Sequence, residues 1–294
     1  MNNPPHRARA SIITSASNPR IKVFKRSLAE GRSGDGFVAI EGPHLVEEAL
    51  KAGARAGQTA ATAATDRVQA MVRSVVAAEG AREKLNRLLK ALPPGAELAF
   101  VPDALFDRMA ATAAPQGVAA LVEMTEPPLE SLLARPHFCC VILCGLQDPG
   151  NVGSILRSAQ AFGADCVMAL ATTANPSHPK VTSSSAGAIF HVPVYAEMEL
   201  HALVARLRSA NVQVIAADGS SRVRLDQADL RGPAAFLIGQ EGGGLSARLL
   251  SLADMRLAIP LAAGMDSLNA ATAASIFLYE MARQRDFRGS GPVG

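Results

Sequence analysis

The run FCCVILCGL at 138–146 constrains the fold of this chain more than any other stretch. It carries no polar side chain, is far too short to span a bilayer, and shows none of the alternation of a strand with one wet face. It reads as a buried strand. The next residues, DPGNVGSILRSAQAFG at 148–163, read as a loop entering a helix, with an amide at Asn151 and a single cation at Arg157. A buried strand that feeds directly into a helix is the opening half of a parallel β-α-β unit.

The rest of the second half keeps that alternation. Strands are expected at 138–145, 165–171, 211–217, 234–239 and 255–260, and helices at 152–162, 198–209, 245–252 and 267–285. This is an α/β domain with a largely parallel sheet, whose ligands bind beyond the carboxyl ends of the strands. The polar, glycine-rich segments of this half all fall at those ends.

The first half is mixed. FVAIEGP (37–43) reads as a strand and turn, and HLVEEALKAG (44–53) as a helix stopped by Gly53. A helix is expected at 83–92, a strand at ELAFVP, a helix at ALFDRMAAT and a strand at 117–124, while 54–78 gives no clear pattern. The divisions are therefore a disordered basic tail at 1–10, a smaller α/β domain at 11–125, a proline-flanked linker at 126–136, the parallel-sheet domain at 137–288 and a disordered tail at 289–294.

Charge is unevenly spread. The net charge of 294 residues is only +3, yet residues 1–33 hold seven Lys and Arg against one acid, Glu30. Such an arm suits a polyanion, through phosphate neutralisation and counterion release, or is simply a solvated segment. Arg20, Lys22, Lys25 and Arg26 are its candidate RNA-binding cations. Aromatics make up 4% and tryptophan is absent, so a wide stacking platform for single-stranded bases is not expected. The four cysteines, Cys139, Cys140, Cys144 and Cys166, lie in strand-like runs and read as small buried hydrophobes without disulfide or zinc spacing. The histidines form no metal or catalytic pattern. With no signal peptide and no membrane-length apolar run, the expectation is a cytoplasmic protein.

Three loops remain as carriers of chemistry: LQDPGNVGS (146–154), LIGQEGGGLS (237–246) and IPLAAGMDSLNAATAA (259–274). The second lacks the dinucleotide fingerprint, since Glu241 would oppose a pyrophosphate, and no P-loop Gly-Lys-Ser/Thr occurs. In the third, Asp266 or Ser267 is the expected helix cap, with Asn269 in the first turn.

Together and in this order, the three loops resemble motifs 1, 2 and 3 of the SpoU (TrmH) family of S-adenosylmethionine-dependent RNA 2′-O-ribose methyltransferases, of the SPOUT superfamily. NPSHPKVTSSSAGAIFHVPV (175–194) is similar to the family's intervening segment, and SASNPRIK with FVAIEGPHLVEEALKAG resembles its RNA-binding domain of L30e-like fold. The resemblance covers about 11–54 and 80–285. It implies a deep trefoil knot, an exception to the rule against knots. It further implies a homodimer formed through the catalytic domain and a structured RNA substrate, ribosomal RNA in preference to tRNA. The methyl donor, leaving as S-adenosylhomocysteine and needing no metal, would contact Gly239, Gly242, Ile259, Leu261 and Leu268. Asn151, Arg157, Glu241, Ser267 and Asn269 would form the catalytic set. Ser183 stands where many members carry an arginine.

The chemistry expected is in-line displacement at a sulfonium methyl by a weakly acidic ribose hydroxyl. A guanidinium is not deprotonated in proteins, so Arg157 is read as gripping a neighbouring phosphate and stabilising the developing alkoxide. Two other classes compete with this reading. A non-catalytic RNA-binding protein of the same fold would fail to bind S-adenosylmethionine, and a dinucleotide enzyme would need the missing fingerprint.

Overall fold

The computed structural model describes residues 10–58 and 66–287, so the tails expected at 1–10 and 289–294 fall outside the described residues apart from Ala10, which opens a strand. The chain divides into two compact units, one built mainly from residues up to Thr125 and the other mainly from Glu126 onward.

The first unit contains β1 (Ala10–Ile12), α1 (Pro19–Glu30), β2 (Val38–Glu41), α2 (Pro43–Gln58), β3 (Gln69–Ala78), α3 (Asn86–Lys90), β4 (Glu97–Val101), α4 (Asp103–Met109) and β5 (Val118–Thr125). Its sheet runs β1-β4-β3-β5-β2, parallel from β1 through β3 and antiparallel across β5. The 54–78 stretch thus supplies the central strand. Its pattern is hard to read because a register shift between Val72 and Ser74 interrupts the alternation. Gly53 does not stop α2, which continues to Gln58. A Cβ at Gly53 would lie 2.7 Å from the Ala70 carbonyl oxygen, so glycine there serves close packing of helix on strand.

The second unit contains α5 (Leu129–Leu133), β6 (Cys139–Cys144), α6 (Pro149–Ala161), β7 (Cys166–Leu170), β8 (Val194–Met198), α8 (Leu200–Ser209), β9 (Gln213–Ala217), β10 (Ala234–Gly239), α9 (Ala247–Leu252), β11 (Met255–Leu257) and α10 (Ala270–Gln284). The helix between β7 and β8, α7 (Pro179–Ser184), lies in the segment Ser177–Phe190, which packs with the first unit although 137–288 was expected to form one domain. All six strands pair in parallel in the order β11-β9-β10-β6-β7-β8. β6 is central and buried along its whole length, as the opening run required. Cys139, Cys140, Cys144 and Cys166 are free and buried. Burial pushes the Cys139 and Cys140 thiols well above their ordinary range and Cys144 to about 12.

The expected linker at 126–136 is corrected by α5. Leu129 and Leu132 are buried in the core of the second unit, because prolines at 127, 128 and 136 delimit a short amphipathic turn rather than a free tether. Arg135 is held by Asp165 at 2.5 Å. β8 went unrecognised because it is a half-exposed edge strand, with Glu197 at positive φ.

Candidate active site

Strand β6 ends at Cys144, and the next residue, Gly145, turns the chain out of the sheet with a φ of +80°. The exit is braced by Thr173, whose hydroxyl donates to the Leu143 carbonyl at 2.8 Å and accepts from the Gly145 N–H at 3.2 Å. Asp148 then caps α6, its carboxylate accepting from the Gly150 N–H, and Pro149 occupies the first turn, where no N–H is needed. The helix therefore starts three residues earlier than expected and takes Asn151 into its first turn.

The second loop leaves β10 at Gly239. A Cβ there would lie 2.3 Å from the backbone carbon of Gly244, because the loop folds back over its own start. Gly242 and Gly244 have φ of +75° and +59°, and the Gly244 N–H donates to the Gln240 carbonyl at 3.0 Å. The glycines are thus required first by the loop's own tight turn. The helix after it begins at Ala247, capped by Ser246, while Leu245 points into the core.

In the third loop the cap is Asn269, not Asp266 or Ser267. Its Oδ1 accepts from the N–H groups of Ala271 and Thr272 at 2.9 and 3.2 Å. That leaves its amide nitrogen to donate to Asn151 Oδ1 at 3.0 Å, and Asn151 in turn donates from Nδ2 to Glu241 Oε1. An ionised carboxylate only accepts, so Glu241 determines which way Asn151 faces, and Asn151 determines the same for Asn269. A single directional chain of hydrogen bonds runs from the amino end of α10 through motifs 3 and 1 to motif 2. Three of the five expected catalytic residues are brought together.

The other two stand apart from this chain. Ser267 is exposed and precedes the cap. Arg157 is exposed and, among the described residues, its guanidinium has no carboxylate partner. Six residues beyond Asn151, it stands about 9 Å farther along α6 and roughly 240° around it. It does not share Asn151's face.

Of the expected donor-binding residues, Gly239 ends β10, Gly242 lies in the turn, Ile259 and Leu268 are half-buried and Leu261 is 37% exposed. Between Pro260 and Leu268 the one backbone hydrogen bond within the loop, among the described residues, joins the Met265 N–H to the Ala262 carbonyl. The remaining polar groups of that backbone are open to a ligand, beside the exposed apolar chains of Leu261 and Met265. Open amides next to apolar side chains fit an adenosine-bearing donor. No cluster of metal-ligating side chains occurs among the described residues.

Sequence reasoning missed Thr173, and also Ser158 and Ser275, whose hydroxyls meet at 2.6 Å between α6 and α10. Small hydroxyl residues inside helices carry no pattern that would have flagged them. The expected RNA-binding cations divide. Arg20 is held by Ser11, Ser74 and Glu97, and Arg26 by Glu30, whereas Lys22 and Lys25 are exposed.

The sequence pattern of the SpoU rRNA methylase family matches residues 139–279, and that of the RNA 2′-O ribose methyltransferase substrate-binding domain matches 39–128. An uncharacterized tRNA/rRNA methyltransferase of Synechocystis is 32% identical over 278 residues, covering 93% of this chain and 94% of the relative. The 23S rRNA (guanosine(2553)-2′-O)-methyltransferase RlmP of Bacillus subtilis is 30% identical, over 92% of this chain and 98% of its own. Among solved structures, the AdoMet-bound rRNA methyltransferase of Sinorhizobium meliloti superposes with a TM-score of 0.75 at 27% identity, covering 93% of this chain and 98% of that one. The chain belongs to the SpoU rRNA methylase family. It is an RNA 2′-O-ribose methyltransferase that uses S-adenosylmethionine.

Proposed function

We infer that this chain methylates a ribose 2′-hydroxyl of 23S ribosomal RNA in the cytoplasm. The observation that carries the reading is the hydrogen-bond chain Asn269–Asn151–Glu241, which ties three otherwise separate loops into one polar floor beside an open backbone loop. Two relatives named as 23S rRNA 2′-O-methyltransferases, those of Bacillus subtilis and Streptomyces viridochromogenes, support the choice of RNA. Residues 11–125 take the role of RNA recognition, with Lys22 and Lys25 as its cations, and 137–288 that of catalysis, its loops threaded as the family's trefoil knot.

The bound donor supplies a methyl already activated on sulfur. Asn151 then orients the acceptor ribose by hydrogen bonding, and its own side chain is kept in one orientation by Glu241 and Asn269. Arg157 grips the adjacent phosphate and offsets negative charge developing on the attacking oxygen. Because Arg157 lies well around α6 from Asn151, the acceptor site is completed by Arg157 of a second copy. The exposed aromatic side chains of Tyr279, packed edge-on against Phe162, and Phe287, tilted against Tyr279, supply an apolar surface for that copy.

The test is mass-spectrometric mapping of ribose methylation in RNA from a strain lacking the gene. Loss of one 2′-O-methyl mark in 23S rRNA is expected, and restoration by the purified enzyme completes the assignment. A mark lost from tRNA alone would overturn the choice of RNA, and no lost mark would overturn the reading.

A further inference from the structure

The first unit contains a cleft of about 500 Å³, within the range of roughly 300–1,000 Å³ typical of small-ligand sites. Its floor is apolar: Leu28 of α1, Ala39 of β2, Leu45 of α2 and Met109 of α4 are all buried and all line it. Its rim is cationic, with Lys25, Arg108 and Lys180 reaching it from α1, α4 and α7. The one carboxylate in the lining, Glu41, is already engaged. It accepts from the Ala111 and Thr112 N–H groups at 2.7 and 3.2 Å and from the Thr112 hydroxyl. The charge presented to a ligand is therefore positive.

The walls are held in place before any ligand arrives. Arg32 Nε donates to the Ser177 hydroxyl at 2.6 Å just ahead of α7, and a Cβ at Gly31 would stand only 2.0 Å from the Ser177 carbonyl oxygen. Behind α7, Gly187 packs against the Glu48 side chain as closely as glycine permits. A cleft already held open loses little ordering entropy on binding.

We propose that this cleft takes one splayed nucleotide of the RNA substrate, its base on the apolar floor and its phosphate on the Lys25–Arg108 rim. An unstacked base has a flat apolar body and a polar edge attached to an anion, which matches this floor and rim. The lining holds no Phe, Tyr or Trp and one ring, the imidazole of His178, so the base is held mainly by aliphatic and thioether contact, for which the soft side chain of Met109 is suited. The assignment rests on the reading of the chain as an RNA methyltransferase.

The experiment uses the full chain and a 23S rRNA transcript carrying 4-thiouridine. Crosslinked peptides are identified by mass spectrometry, and affinity is measured by filter binding across a salt series. Crosslinks are expected within residues 25–29, 108–112 and 178–183. Ala29→Trp, which fills the mouth from an exposed position on α1, is expected to remove them and to weaken RNA binding about tenfold, the scale of one base contact. K25A/R108A, which leaves the floor intact, is expected to lower the slope of log affinity against log salt by about 0.7 for each phosphate no longer neutralised. Unchanged thermal melting and S-adenosylmethionine affinity establish that both variants are folded. A wild type that binds the transcript with crosslinks elsewhere, or variants that keep both affinity and slope, overturn the cleft and leave the enzyme reading standing. A wild type that does not bind the transcript overturns both.

Discussion

Asn269 performs two tasks with the two ends of one amide. Its oxygen caps α10, and its nitrogen holds Asn151. Substitutions can separate them. Asn269→Asp keeps the capping oxygen but replaces the donor with an acceptor facing Asn151 Oδ1, so melting should stay near wild type while methyl transfer falls. Asn269→Ala removes both, adding a loss of about 1 kcal/mol from the missing cap. Melting curves and a tritiated-methyl assay measure the two effects, and equal activity in all three proteins would contradict the coupling. Arg157→Ala should lower transfer by about a hundredfold or more, as expected when one charge-stabilising group is removed from the transition state, with donor affinity unchanged by calorimetry. Unchanged turnover would remove Arg157 from the reaction. Asn151, Glu241 and Asn269 were legible from the sequence through the joint resemblance of the three loops to the SpoU motifs, each loop being ambiguous by itself. Their order of hydrogen bonding was not legible, since each bond joins loops more than 80 residues apart that meet beyond the carboxyl ends of the strands.

At the scale of elements, close backbone approach decides more than propensity. Gly239 lies in a β10–loop turn where a methyl group would strike the Gly244 backbone. Gly239→Ala should therefore displace residues 240–245 and with them Glu241, lowering donor affinity as well as stability. Isothermal calorimetry would detect the first and denaturant unfolding the second, and wild-type donor affinity would show that the loop tolerates the shift. The lesson of Gly53 is similar. A glycine ten residues into a helical pattern reads as a stop, but here it meets the Ala70 carbonyl of β3, a strand whose own signal was obscured by its bulge. Helix α6 was misjudged in the opposite direction. Asp148 and Pro149 form a cap and first turn, and treating them as loop hid the fact that Asn151 is already helical.

Across the whole molecule, two expectations can be measured. If Phe162, Tyr279 and Phe287 face a second copy, light scattering should give about twice the 30.5 kDa chain mass, and Tyr279→Asp should give monomers without activity. Active monomers would contradict completion of the site across an interface. The buried thiols make a separate statement about pH. Burial raises Cys139, Cys140 and Cys144, the last to about 12, whereas unfolded thiols ionise near pH 8.5. Below that pH both states hold their protons and the thiols leave stability unchanged. Above it the unfolded chain loses protons first, and each such thiol costs up to about 1.4 kcal/mol per pH unit until its folded value is reached. The urea midpoint should fall between pH 8 and pH 10, and an unchanged midpoint would show the thiols to be accessible.

By itself the sequence determined the parallel α/β architecture of the second unit and the identity of its chemical loops. The architecture rests on local quantities, the apolar continuity of 138–146 and the alternation that follows it, and the loops on their joint, ordered resemblance to the SpoU motifs. Only the tertiary structure decided that α5 belongs to a core rather than a linker, and that Ser177–Phe190 packs with the first unit. It alone decided that Asn151 meets Glu241 and Asn269 and that Arg20 is consumed by Ser11, Ser74 and Glu97. Each of these depends on partners distant in the chain, and a side chain's free valences are known only once its neighbours are.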